Sequence, residues 1–196
     1  MSANTQKLLT FIQDITRLLE TKPDEATIFV EGKKLVATLV SSDEWLPDAF
    51  AQPHPQHYQQ YLLYADPLDR LSIVSFVWGP GQKTPVHDHQ TWGIVGGLRG
   101  KEQEITFRKQ ANGSYSETGR GILDAGGVTA VSPDIGDIHE VSNALNNQPS
   151  ISIHVYGKNI GRVHRHVFDI TTGASRPFVS GYANDVLPNL WSEAVA

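Results

Sequence analysis

The stretch that decides the fold is Pro85-Val86-His87-Asp88-His89, in which two histidines stand two positions apart. On a β-strand, residues i and i+2 project to the same face, so we expect His87 and His89 to share one face and Asp88 to point away. A third histidine follows 50 residues after His89, in Gly136-Asp137-Ile138-His139-Glu140-Val141. A glycine turn followed by a strand can place His139 opposite the first two. The pattern therefore predicts three converging imidazoles.

Two interpretations of these histidines compete. A single histidine is usually structural or solvated, and the His87–His89 pair alone leaves a structural role and a metal site equally open. The segment that carries His139 favours the metal. The chain contains no cysteine, which excludes disulfides and thiolate ligands. Three ligands predict an open, reactive metal, since a closed structural zinc site has four. Hydrolysis by zinc-bound hydroxide remains the chemical rival.

Short β-rich runs separated by Gly, Pro, Asn and Asp dominate the chain after about residue 70. The predicted strands are Leu71 to Trp78, Thr91 to Leu98, Glu104 to Arg108, Val128 to Val131, Ile138 to Val141 and Ser150 to Tyr156. Many short strands with regular turns are typical of a sandwich or a small barrel. We therefore predict one domain over residues 1–196, with a helical cap over 1–65 and a β-barrel over 70–180.

Residues before the barrel show helical periodicity. Apolar side chains recur at helical spacing from Leu8 to Leu19, which predicts a helix that packs against the core. Pro23 followed by Asp24 is a helix-start signal, and the second helix that it begins should be weakened by Gly32.

Composition limits the classes of function. The net charge is -5 and there is no run of basic residues, which argues against a nucleic-acid partner. No stretch approaches the roughly 20 apolar residues of a membrane span. The N-terminus lacks the basic region and cleavage site of a signal peptide. These features predict a cytoplasmic protein without a membrane or nucleic-acid partner.

A second polar pattern lies in Ser152-Ile153-His154-Val155-Tyr156. Strict alternation puts Ser152, His154 and Tyr156 on one strand face. Such a row can relay hydrogen bonds from the serine through the histidine to the tyrosine hydroxyl. Taken by itself, the pattern is more typical of the polar outer face of an edge strand.

Both histidine segments resemble the two motifs of the cupin superfamily. The matching residues of the first motif are Gly81, His87, His89 and Gly100, and those of the second are Gly127, Pro133, Gly136, Asp137, His139 and Asn143. The resemblance implies a double-stranded β-helix, the jelly-roll barrel. Gly93 and Ile94 stand where the acidic ligand of many cupins would fall, so the site has three histidines and no carboxylate. Three neutral imidazoles leave the metal charge uncancelled, which favours an anionic thiolate.

The row Ser152, His154 and Tyr156, followed by Gly157, is similar to that of the thiol dioxygenases, the cysteine dioxygenase family. The segments 76–81, 87–89 and 91–93 resemble its bacterial branch, and the similarity covers roughly residues 58–169. The resemblance implies one Fe(2+) held by His87, His89 and His139, with Ser152, His154 and Tyr156 assisting catalysis. The partners that it implies are O2 and a small thiol, which becomes a sulfinic acid.

Departures from the mammalian-type enzymes concern the substrate. The mammalian-type enzymes carry a cysteine that is cross-linked to the active-site tyrosine. This chain has Gly93 at the corresponding position. Gln59 or Gln60 stands where they place a carboxylate-binding arginine. The bacterial 3-mercaptopropionate dioxygenases share both departures, and their arginine after the tyrosine matches Arg165, with Arg162 as the second candidate.

We therefore expect a thiol dioxygenase that favours 3-mercaptopropionate. The alternatives are an L-cysteine dioxygenase and a non-catalytic cupin that binds a metal or a small molecule. The row Ser152–His154–Tyr156 argues against a mere binding module, which needs no proton relay. A homo-oligomer is possible.

Overall fold

The computed structural model describes residues 5–191 of the 196-residue chain. This part of the chain begins with two α-helices and continues with ten β-strands. Their bounds are α1 Gln6–Glu20, α2 Glu25–Val40, β1 Gln59–Ala65, β2 Ser72–Trp78, β3 Gly93–Arg99, β4 Lys101–Lys109, β5 Tyr115–Asp124, β6 Val128–Val131, β7 His139–Asn143, β8 Ser150–Tyr156, β9 Arg165–Phe168 and β10 Ser175–Phe178. Short 3-10 turns lie at Asp48–Phe50 and Ile160–Arg162.

The strands form two sheets that enclose the barrel interior. One sheet has the antiparallel order β1-β2-β8-β3-β6, and the other contains β5-β4-β7 together with the β9–β10 hairpin. His87 forms isolated bridges to His139 on β7 and Val167 on β9, which joins these two parts. The prediction of a mainly β cupin barrel with an N-terminal helical cap is confirmed.

Alternation along β2 and β8 divides the core into two layers. Ile151, Ile153 and Val155 of β8 pack with the helices on the outer side of the five-stranded sheet. Val74, Phe76 and Trp78 of β2 point inward and pack with Val141 and Tyr156. The polar residues of β8 therefore occupy the inner face, where the site lies.

The helical cap forms as the sequence indicates. The apolar stripe of α1 is buried in the outer core layer. Asp24 is the N-cap of α2, and its carboxylate accepts a hydrogen bond from the Thr27 N–H at 2.9 Å.

Gly32 does not interrupt α2. A Cβ at this position would lie 2.6 Å from Ile94 Cδ1, so the glycine lets the helix approach β3 closely. The cost in helix propensity is thus offset by packing between the helix and the sheet.

Four strands were not predicted, and one of them corrects the cap boundary. β1 lies inside residues 1–65, which the sequence assigned to the helical cap, whereas α2 already ends at Val40. β1 is an edge strand with two glutamines at its start, and β5 is mostly exposed, so neither shows an apolar alternation. β9 and β10 have four residues each, which is too short for a periodic signal. Within residues 5–191, no helix is both long and apolar enough to cross a bilayer.

Candidate metal centre and active site

His87, His89 and His139 converge in the barrel interior. All three are buried, and the candidate ligand atoms of the three rings lie within 4.8 Å of one another. The ring centroids are 4.8–4.9 Å apart in each pair. The His87–His89 spacing had predicted a strand, but both residues lie in an extended loop. The His87–His139 bridge fixes this loop against β7. Across this bridge, each residue's N–H donates to the carbonyl of the other.

Each of the three rings has an oxygen at its Nδ1 atom. The partners are the Pro85 carbonyl at 3.0 Å for His87, the Asp137 carboxylate at 2.8 Å for His89 and the Glu104 carboxylate at 2.5 Å for His139. An imidazole that donates through Nδ1–H keeps a lone pair on Nε2, which is the atom then available to a metal. These contacts leave the Nε2 atoms of the three rings as the candidate ligands of one ion.

Burial also keeps His87 and His89 neutral. It lowers the pKa of His87 well below its usual value, and the charges of His139 and His89 lower it further. Burial likewise lowers the pKa of His89, and the charges of His139 and Arg165 lower it further. Neutral imidazole is the form that binds a metal.

The row on β8 is a buried hydrogen-bonded chain. Ser152 Oγ lies 2.8 Å from His154 Nε2, and His154 Nδ1 lies 2.8 Å from the Tyr156 hydroxyl. All seven residues of β8 are buried, because β2 and β3 flank the strand on both sides. The alternative of a polar outer face on an edge strand is therefore wrong for this segment.

Tyr156 connects this row to the histidines. Its ring stacks on His89 with centroids 5.4 Å apart. Gly93 is paired with Tyr156 across β3 and β8, and a Cβ at Gly93 would lie 2.9 Å from two atoms of the tyrosine ring. The missing side chain at position 93 thus lets the ring lie directly against β3. Burial raises the pKa of Tyr156 far above its usual value, so the hydroxyl stays protonated.

The two candidate arginines occupy different environments. Arg165, at the start of β9, is buried, whereas Arg162 is exposed. Arg165 Nη2 donates to Ser180 Oγ at 2.7 Å, and the guanidinium lies 4.6 Å from the centre of the Phe178 ring. Its Nε is buried and makes no hydrogen bond to the described residues. Burial lowers the pKa of Arg165. Burial is also the largest cause of the lowered pKa values of His87, His89 and His154, and the charge of Arg165 lowers all three a little further.

The two candidate glutamines point to opposite sides of β1. Gln60 Nε2 donates to the same Ser180 Oγ at 3.0 Å, so Gln60 and Arg165 share one partner. Gln59 Nε2 reaches only the carbonyls of His57 and Tyr58, at 3.5 Å each. Gln60 is therefore the glutamine that belongs to the surroundings of Arg165.

Several residues of this region were missed from the sequence. Glu104 and Ser180 carry no local signal, since each gains its role from a partner far along the chain. Asp137 was noted only as part of a motif, although it binds both the ring and the backbone N–H of His89.

Comparison with known proteins bears on this geometry. A family model described as cysteine dioxygenase type I matches residues 1–169.

The chain belongs to the cysteine dioxygenase type I family.

Membership in this family agrees with the three-histidine group and with a thiol dioxygenase activity. Two solved structures are also similar to the chain. An uncharacterized conserved protein with a double-stranded β-helix domain from Klebsiella pneumoniae is 18% identical, with 58% of this chain and 89% of that chain covered and a TM-score of 0.46. A cupin 2 conserved barrel domain protein from Salinispora arenicola is 18% identical, with 58% and 86% covered and a TM-score of 0.42.

Proposed function

We propose that this member of the cysteine dioxygenase type I family is a mononuclear ferrous enzyme that oxidises 3-mercaptopropionate with O2 to the corresponding sulfinic acid. The observation that carries the proposal is the buried guanidinium of Arg165 beside the three histidines. Its Nε–H is buried and makes no hydrogen bond to the residues that the structure describes. A buried cation with a free donor favours a small anion as its partner.

Three features support iron at the three histidines. The imidazoles are buried and held by oxygen acceptors at Nδ1, and the set brings no negative charge to an ion. Such a site favours an anionic thiolate as a further ligand. Ferrous iron, when bound, supplies the redox chemistry that joins the thiol sulfur to dioxygen.

The protein's own residues orient the substrate at two points. The carboxylate of 3-mercaptopropionate pairs with Arg165, while its thiolate faces the histidines. Ser180 Oγ accepts a hydrogen bond from the guanidinium, and Gln60 donates to the same oxygen. The thiol needs no amine for this arrangement, which distinguishes 3-mercaptopropionate from L-cysteine.

Tyr156 handles a proton at the reacting end. Its hydroxyl lies 2.8 Å from His154 Nδ1, and its ring stacks on His89, so it is close to where the thiolate and O2 meet. A protonated hydroxyl held this way can donate to an oxygen that gains negative charge. The apolar wall of Phe76, whose ring centre lies 4.2 Å from that of His154, keeps the histidine in place.

Oxygen uptake by the iron-loaded protein tests the proposal. We expect kcat/KM to be highest for 3-mercaptopropionate and lower for L-cysteine, and cysteamine, which lacks the carboxylate, to be a poor substrate. The product should be the sulfinic acid, with both oxygen atoms derived from labelled O2. A preference for L-cysteine would contradict the substrate assignment, and no uptake with any thiol would favour a non-catalytic cupin.

A further inference from the structure

A buried aspartate stands between two of the candidate metal ligands. Asp88 lies between His87 and His89 in the chain but does not belong to the three-histidine group. It is only 4% exposed. Burial of a carboxylate is costly unless hydrogen bonds satisfy its oxygens, so a buried aspartate needs donors from the protein. No step of the proposed reaction uses this carboxylate.

The donors to Asp88 come mainly from β9. Oδ1 of Asp88 accepts a hydrogen bond from the His166 backbone N–H at 2.7 Å. Oδ2 lies 3.1 Å from Nδ1 of the His166 ring and accepts a hydrogen bond from Gln90 Nε2 at 2.5 Å. Both oxygens are therefore satisfied, and one residue of β9 contacts each of them.

Backbone hydrogen bonds continue this contact along β9. The Asp88 N–H donates to the His166 carbonyl at 3.2 Å, and the Phe168 N–H donates to the Val86 carbonyl at 2.9 Å. An isolated antiparallel bridge lies between these two bonds. The loop that carries the two histidines thus pairs with β9 like a short strand. The Asp88 carboxylate strengthens this pairing at the end next to Arg165.

Arg165 immediately precedes His166 on β9. Its side chain is buried, whereas the side chain of His166 is 42% exposed, as expected for neighbours on opposite faces of a strand. Asp88 therefore holds the backbone of β9 one residue from the arginine. It reaches His166 and leaves the guanidinium of Arg165 to its own partners.

This connection bears on the length of the substrate. In the proposed function a mercapto acid is held at two points, by its thiolate at the metal and by its carboxylate at Arg165. The number of carbons between the two groups must then match the distance between the two points. A misplacement of about 1 Å can cost roughly 100-fold in rate, and one methylene group typically changes discrimination by about 10- to 200-fold.

We propose that Asp88, by tying the histidine loop to β9, fixes the separation between the metal site and Arg165 and so determines which length of mercapto acid is accepted. Asp88 is a positioning residue, because it acts on the substrate only through the two segments that it joins. The inference rests on the proposed function, in which Arg165 binds the carboxylate.

Asp88→Ala removes both acceptor oxygens and leaves the backbone of the loop and of β9 unchanged in sequence. Asp66→Ala is the matched control. Asp66 is also a buried carboxylate, 7% exposed, but it pairs with Arg70 in the turn between β1 and β2. The two variants lose comparable groups, and only one of them loses the connection to β9.

Amide hydrogen exchange of the zinc-loaded full chain tests the connection without any thiol, since zinc is redox-inactive. In the wild type, the Phe168 amide on β9 should be protected as strongly as the His87 amide, which bonds to β7. In Asp88→Ala the Phe168 amide keeps its acceptor, yet its protection should fall roughly 10-fold or more, the effect of losing a hydrogen bond to a charged group. The His87 amide should stay protected, and Asp66→Ala should match the wild type.

Calorimetry with the same zinc-loaded protein tests the effect on substrate length. Mercaptoacetate, 3-mercaptopropionate and 4-mercaptobutyrate differ by one methylene group each. We expect the wild type and Asp66→Ala to bind 3-mercaptopropionate about 10-fold or more tightly than the other two acids. In Asp88→Ala the three dissociation constants should become similar.

Several outcomes would overturn the proposal. They are a wild type that binds the three acids equally or not at all, a wild-type Phe168 amide that exchanges much faster than that of His87, and a length preference that survives in Asp88→Ala or disappears in Asp66→Ala. The wild-type measurements decide even if Asp88→Ala does not fold. Neither measurement needs turnover, so a chain that shows the connection and the preference but consumes no O2 would refute the proposed function alone.

Discussion

Among residues 5–191, the Tyr156 hydroxyl has one hydrogen-bond partner, Nδ1 of His154. Tyr156→Phe removes this hydroxyl and leaves the ring stacked on His89. We expect kcat to fall roughly 10- to 1000-fold, the range for loss of one catalytic hydrogen bond or proton transfer. Tyr61→Phe is the control, since its hydroxyl bonds to the Gln52 carbonyl near the surface. Equal turnover in both variants would make the row purely structural.

Arg165 and Arg162 form a natural pair for comparison, because one is buried and the other exposed. If Arg165 binds the substrate carboxylate, Arg165→Ala should cost about 2–5 kcal/mol in kcat/KM for 3-mercaptopropionate. Arg162→Ala should cost far less. Steady-state oxygen uptake measures both. An unchanged kcat/KM in Arg165→Ala would place the carboxylate elsewhere.

Among the elements, β8 matters most, because its position in the sheet determines what its polar residues do. Between β2 and β3, its inner face lines the barrel and its outer face meets the helices. Alternation alone identifies the two faces of a strand. It does not reveal whether the polar face meets solvent or an enclosed site, which depends on the neighbouring strands.

The close contact between β3 and β8 predicts the effect of a methyl group at Gly93. A Cβ there would lie 2.9 Å from the Tyr156 ring, so Gly93→Ala must displace the ring. We expect a loss of about 1–3 kcal/mol of unfolding free energy in urea, as for other overpacked sites, together with lower turnover. Gly121→Ala on β5 is the control, since nothing lies within 4 Å of its Cβ. Similar losses in both variants would contradict the steric argument.

At the scale of the whole molecule, buried titratable groups give stability a characteristic pH dependence. Burial lowers the pKa of His87, His89 and His154 below 6.5, so the unfolded chain binds more protons than the folded one at acid pH. Their contribution to stability is lost as pH falls below about 6.5. Glu102 acts in the opposite sense, since burial raises its pKa from 4.5 to about 8 and the folded state retains the proton.

For the metal-free protein we therefore expect maximal stability near pH 6.5. Between about pH 6.5 and about pH 8, the contribution of Glu102 to the unfolding free energy should fall by roughly 2 kcal/mol, partly offset by the histidines, so it is read from the difference between the wild type and Glu102→Gln. Urea unfolding at a series of pH values measures this difference. Glu117→Gln, a change at an exposed glutamate of β5, should keep the wild-type profile, whereas a fall of the same size in Glu102→Gln would assign it to another group.

Local patterns in the sequence determined the chemistry of the site. The spacing of His87 and His89, the segment around His139 and the alternation of Ser152, His154 and Tyr156 are short-range signals, and each sets a side-chain direction within a few residues. The prediction of a cupin barrel followed from the same segments.

Only the tertiary structure decided which residues complete the site. It distinguished Gln60 from Gln59 through a bond to Ser180, 120 positions away, and Arg165 from Arg162 through burial. It brought Glu104 to His139, 35 positions away in the chain. The physical reason is that burial, and the pKa changes and hydrogen-bond partners that come with it, depend on strands that are distant in the chain and adjacent in the barrel.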